Sequence, residues 1–138
     1  MTKPVKLLTR SFKLYLILLV ISTVGILYGT LFPADYSVPR SFYGLDKLVH
    51  FVMFGAWTFF FGIVRFLKGN FKLMIIFAGG TLFGIVIEVL QYLLPTGRSP
   101  EFLDLIADIT GTAAAVLVLY ILSKTVPQFS PSPHENAI

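Results

Sequence analysis

Residues 73–94 read LMIIFAGGTLFGIVIEVLQYLL, an apolar run closed by Pro95. At 1.5 Å of rise per residue, about 20 such residues carry an α-helix across the hydrocarbon core of a bilayer. A core helix of a water-soluble protein would be shorter and would show a polar stripe. Glu88 is the only charged residue in the run, and Gln91 lies three positions beyond it. Runs of the same kind occupy residues 14–32, 48–67 and 102–122. The sequence therefore predicts an all-α, polytopic membrane protein, a bundle of four antiparallel transmembrane helices. The connections at 33–47, 68–72 and 95–101 are short, which makes successive helices antiparallel neighbours. Residues 1–123 form one domain on this pattern. Residues 124–138, with Pro127, Pro131 and Pro133 among polar residues, read as a disordered cytoplasmic tail.

Composition agrees. Of 138 residues, 56% are hydrophobic and 13% charged, with a mean hydropathy of +0.83. Soluble domains carry about a quarter charged residues. A chain this short buries only about two thirds of its surface, so a soluble version would lack polar residues to cover the outside. A disordered chain, a nucleic-acid-binding domain and an ordinary cytosolic enzyme are excluded. The absence of cysteine excludes disulfides, a thiol nucleophile and lipoprotein acylation. The first span follows Lys3, Lys6, Arg10 and Lys13. It is too long for a signal peptide, and Phe32-Pro33-Ala34-Asp35 makes a poor cleavage site, so an uncleaved helix is expected.

Basic residues set the expected orientation. With the amino terminus inside, Lys3, Lys6, Arg10, Lys13, Arg65, Lys68, Lys72 and Lys124 fall on the cytoplasmic side. Arg40, Lys47 and Arg98 fall on the other. This bias places both termini in the cytoplasm. The expected location is the bacterial cytoplasmic (inner) membrane.

The acids then gather on the outer side: Asp35, Asp46, Glu88, Glu101, Asp104 and Asp108. Ionisable groups inside spans are rare and point to function. His50 lies about one turn below the start of the second helix. Glu88 lies about 10 Å from Pro95, and Asp108 about 9 Å below the start of the fourth helix. Glu88 and Gln91 share a face at i, i+3, as do Asp46 and His50 at i, i+4. Asp104, Asp108, Gly111 and Ala115 form one stripe. Gly80-x-x-x-Gly84 continues the Glu88 face, and such small-residue pairs let helices approach closely. Before the fourth helix, Ser99 suits the cap, Pro100 the first turn and Glu101 the positive end of the dipole.

A polar pocket near the outer leaflet follows. His50, Glu88 and Asp108 are its candidate acid–base groups, and Lys47, Gln91, Arg98 and Asp104 its candidate substrate-binding groups. Arg98 and Lys47 would hold an anionic group such as a lipid phosphate. The alternatives are interhelical hydrogen bonds alone, worth about 0.6–2 kcal/mol each, or a proton relay. His50 with the carboxylates has the composition of a divalent-metal site. No metal-binding spacing accompanies it, and no metal or cofactor is assigned. The implied partners are membrane lipid and an anionic envelope lipid or lipid-linked precursor, with no nucleic acid. The oligomeric state is left open.

Taken in order, Asp46-Lys47-x-x-His50, Glu88-x-x-Gln91, Arg98, Asp104, position 108 and Gly111 resemble the VanZ-like family of small bacterial integral membrane proteins. That family is named for an accessory protein of glycopeptide resistance that lowers susceptibility to teicoplanin. The motif stretch spans residues 46–111. Two positions depart from the family pattern: Asp108 stands where members usually carry Asn, and Ala115 where they usually carry Gly. The resemblance implies an integral membrane protein near cell-envelope chemistry and does not imply a reaction. Joined to the polar pocket, it leads to the expectation of a protein that binds or modifies an envelope lipid or lipid-linked glycopeptide. A membrane-embedded hydrolase or transferase, or a structural subunit without catalysis, are the alternatives.

Overall fold

The computed structural model describes residues 3–31, 43–95 and 99–125, with side chains described for 11–31, 45–95 and 99–125. The elements among them are four helices: α1 (Lys3–Leu31), α2 (Tyr43–Leu67), α3 (Leu73–Leu93) and α4 (Phe102–Thr125). Three helices overrun the hydrophobic spans. α1 begins at Lys3 rather than at residue 14, α2 at Tyr43 rather than 48, and α4 ends at Thr125 rather than 122. Hydropathy marks the part of a helix that lipid covers, whereas backbone hydrogen bonding continues into the polar layer. Residues 126–138, most of the stretch read as a tail, lie outside the described residues.

Each helix contains a stretch long and apolar enough to cross a membrane. The 21 residues of 73–93 extend about 31 Å, close to the thickness of a hydrocarbon core. At most a third of any of the most apolar stretches is buried inside the protein. Outward-facing residues include Ile17, Ile21, Met74, Leu82, Val89, Leu103 and Leu117. So much exposed apolar surface on a small chain requires lipid as the solvent. The chain is a multi-pass membrane protein.

α2 and α4 share the largest interface. They meet backbone to backbone: a Cβ on Gly55 would lie 3.2 Å from the Gly111 carbonyl oxygen, and one on Gly111 would strike the Phe51 carbonyl. Below this crossing, the Thr58 and Thr112 hydroxyls are 3.2 Å apart. α3 closes over them at Gly80, where a Cβ would sit 2.6 Å from Thr58 Oγ1. α1 joins through Trp57, whose Nε1–H donates to Thr23 Oγ1 at 2.8 Å. Phe54, Ile26 and Ile87 form one apolar cluster, and Ile63, Phe71, Ile76 and Leu119 another nearer the α2–α3 turn.

That turn shows how α2 stops. Gly69 has φ +68°, a conformation glycine adopts without steric cost. Its N–H donates to the Phe66 carbonyl at 2.9 Å, and the Asn70 N–H to the Arg65 carbonyl at 3.0 Å. This paired closure satisfies carbonyls that the helix end would orphan. The chain then reverses directly into α3.

Candidate functional site

α1 and α3 finish where α2 and α4 begin, and the polar residues converge at this end of the bundle. Asp46 lies in the first turn of α2 and Asp104 in the first turn of α4. Both suit the positive end of a helix dipole. The Glu101 carbonyl accepts the first helical bonds of α4, from the N–H groups of Asp104 and Leu105. Glu101, not Ser99, therefore occupies the capping position. The α2–α4 crossing fixes the rotation of the two helices, and it brings the Asp46–His50 face against the Asp104–Asp108 stripe.

Lys47 joins the two helix starts. Its ammonium donates to Glu101 Oε2 at 2.6 Å, to Asp46 Oδ2 at 3.3 Å and to Asp104 Oδ1. The Lys47 side chain is a quarter exposed and those of Asp46 and Glu101 about half, whereas Asp104 is 8% exposed. The ammonium expected to meet a phosphate is thus spent on three carboxylates.

One turn deeper, His50 Nδ1 is 2.9 Å from Asp108 Oδ1. Its Nε2 is 3.8 Å from Asp104 Oδ2. His50 is 4% exposed and Asp108 fully buried. The imidazole stacks on Phe54, with ring centroids 6.4 Å apart and planes 5° from parallel. Asp108 fits because α3 presents Gly84 to it: a Cβ there would stand 3.2 Å from Asp108 Cβ and 3.3 Å from Oδ2. Asp108 Oδ2 is buried without a hydrogen-bond partner among the described residues.

Glu88 reaches the same cluster from α3. Among the described residues, the charged groups around it include Asp104, Asp108 and His50. Its Oε1 is buried and unpartnered among the described residues. Gln91 turns toward α1 instead: its Nε2–H donates to the Thr30 carbonyl at 3.1 Å. That carbonyl is one of the last four of α1, which have no partner within their own helix. Gln91 Oε1 is buried and unpartnered as well. Arg98 lies outside the described residues. The structure thus brings together His50, Glu88, Asp104, Asp108 and Lys47, and adds Asp46 and Glu101 as partners of Lys47.

A cavity of about 150 Å³ opens beside the cluster between α1 and α2. Gly29, Thr30, Asp46, Val49, His50, Met53 and Phe54 line it. Its polar wall is Asp46, His50 and Thr30, and the rest is apolar. Asp108 holds the imidazole by Nδ1, which leaves Nε2 to exchange a proton or bind a ligand. The sequence signals for this arrangement were the i, i+4 pairs. Glu101 carried only a helix-dipole signal, and Thr30 carried none.

The chain has no match among curated proteins and none among solved structures. A family model described as VanZ/LLP1 matches residues 5–123, a range that includes the polar cluster and all four spans. The chain belongs to the VanZ/LLP1 family.

Proposed function

We propose that this protein lies in the bacterial cytoplasmic membrane with both termini inside, and that its polar end, in the outer leaflet, binds or modifies an envelope lipid or lipid-linked precursor. One observation supports a ligand site over mere helix pairing. Glu88 Oε1, Gln91 Oε1 and Asp108 Oδ2 are buried acceptors without partners among the described residues. Groups that served only to join helices would be paired, because an unpaired buried polar group costs about 1–3 kcal/mol. Acceptors of this kind suit the hydroxyl or amine groups of a lipid or sugar head group. Arg98, just ahead of α4 in sequence, is the residue assigned to its phosphate.

The His50–Asp108 pair favours a second role for the same site. An imidazole held by a carboxylate at 2.9 Å is a ready general base or acid, as a hydrolase or transferase acting on such a lipid would need. Binding and modification are separated by one experiment. Protein purified in mild detergent is analysed by mass spectrometry for retained lipid, then incubated with phospholipids and prenyl phosphates. Wild type should retain one lipid class at least fivefold above its share of the membrane, and Glu88→Gln should lose that enrichment while keeping its helical circular dichroism. Product formation abolished by Glu88→Gln would establish catalysis. A retained-lipid profile equal to that of the bulk membrane, with no product, would refute both roles.

A further inference from the structure

Among the described residues, acids outweigh bases at the polar end: Asp46, Glu88, Glu101, Asp104 and Asp108 surround Lys47 and His50. We propose that this end holds a divalent metal ion of the zinc or manganese kind, ligated by Asp46, His50 and Asp104. One ligand atom from each of the three lies within 4.8 Å of the others. Each residue also keeps an atom to give. Lys47 occupies Asp46 Oδ2 and Asp104 Oδ1, which leaves the second oxygen of each carboxylate. Asp108 occupies His50 Nδ1, which leaves Nε2.

The Nε2 atom carries the inference. His50 is 4% exposed and its Nδ1 is held by Asp108, so Nε2 is the nitrogen left to a ligand. Its acidic neighbour, Asp104 Oδ2, stands 3.8 Å away, too far for a hydrogen bond. Two atoms that share an ion at about 2.1 Å each can lie up to about 4 Å apart. The other imidazole nitrogen is bonded to a fully buried carboxylate, which is the outer-shell arrangement that orients metal-ligating histidines and raises their basicity.

The rest of the surroundings fit. One imidazole nitrogen with two carboxylate oxygens suits a borderline-to-hard divalent ion. Asp46 and His50 line the cavity of about 150 Å³, room for several waters at about 30 Å³ each to complete the coordination. The Lys47 ammonium repels a cation, but Glu88, Glu101 and Asp108 offset it. The ion would also give an acid-rich end the counter-charge to hold a phosphate, a consequence that rests on the lipid-binding role above.

The test uses the full chain, without a histidine tag, stripped of metal by chelator and held in detergent without added lipid. Failures of metal binding and of lipid binding are thereby read separately. Mn²⁺ is titrated and its free ion followed by electron paramagnetic resonance, with Zn²⁺ as competitor. One Mn²⁺ per chain should bind and be displaced by Zn²⁺. Asp46→Asn, at a half-exposed carboxylate that can change without unfolding the bundle, should weaken binding at least tenfold. Asp108→Asn should weaken it about 10–100-fold through the orienting bond. Lys124→Gln, at the far end of α4, should leave it unchanged. Wild-type affinity equal to that of folded Asp46→Asn, or absence of Mn²⁺ binding, would overturn the proposal.

Discussion

Replacing Lys47 with Met keeps most of the side-chain volume and removes the ammonium that three carboxylates share. Two of those carboxylates, Asp46 and Glu101, are about half exposed and can turn to the polar layer. Asp104 cannot, because its side chain is 8% exposed. Its nearest remaining base among the described residues is His50 Nε2 at 3.8 Å. Stripping one partner from a buried ion pair costs about 3–5 kcal/mol, whereas an exposed pair is worth about 0–1 kcal/mol. Lys47 is itself a quarter exposed, so Lys47→Met should destabilise the bundle by about 2 kcal/mol, between those limits. The loss comes mainly from the stranded Asp104 charge, so it should shrink when that charge is removed. Lys47→Met combined with Asp104→Asn should recover about 1.5 kcal/mol relative to the sum of the single losses, a coupling typical of residues in contact. Unfolding of the purified chain in detergent, titrated with SDS and followed by far-ultraviolet circular dichroism, measures all four corners of the cycle. A single-variant loss below about 0.5 kcal/mol, or strict additivity, would refute a buried Lys47–Asp104 pair.

Two further outcomes follow from the packing and the topology. Gly111→Ala should destabilise by about 1–3 kcal/mol through overpacking, because its Cβ meets the backbone carbonyl of Phe51, which cannot rotate away. Gly25→Ala, where nothing lies within 4 Å, should change stability by less than about 0.5 kcal/mol in the same assay. A cysteine-free chain also allows clean topology mapping. Ser99→Cys should react with a membrane-impermeant maleimide on intact cells, and Asn70→Cys only after lysis. The reverse pattern would invert the assigned orientation.

The spans were legible in the sequence because lipid imposes a length and a composition that short soluble helices do not share. The helix ends were less so: α1 and α2 begin well before their apolar runs, where hydropathy carries no signal. The face on which a residue sits was legible for the same reason that i, i+4 spacing repeats along a helix. His50 with Asp46, and Asp108 with Asp104, were each read as neighbours, and each pair lines one face of the site.

What spacing within a helix does not give is the rotation of one helix against another. Here that rotation is set by Gly55 against Gly111, a contact between backbones. The sequence offered Gly111 as part of a stripe and gave no sign of its partner on α2. Once the two glycines meet, His50 must face both Asp104 and Asp108. Lys47 stands about 100° around α2 from Asp46, off the polar face on a helical wheel. Its long stem nevertheless swings across the helix start, and the three carboxylates draw its ammonium in. By adjacency alone it reads as a free cation at a helix mouth. Gln91 shows the same limit: its spacing from Glu88 places it beside the site, but the orphaned Thr30 carbonyl at the end of α1 captures its amide. With Lys47 paired and Gln91 turned aside, the described residues of the polar end are left with more acceptors than donors. Among the described residues its unpartnered atoms, Glu88 Oε1, Gln91 Oε1 and Asp108 Oδ2, are all acceptors, which suits the cation or donor-rich head group proposed above.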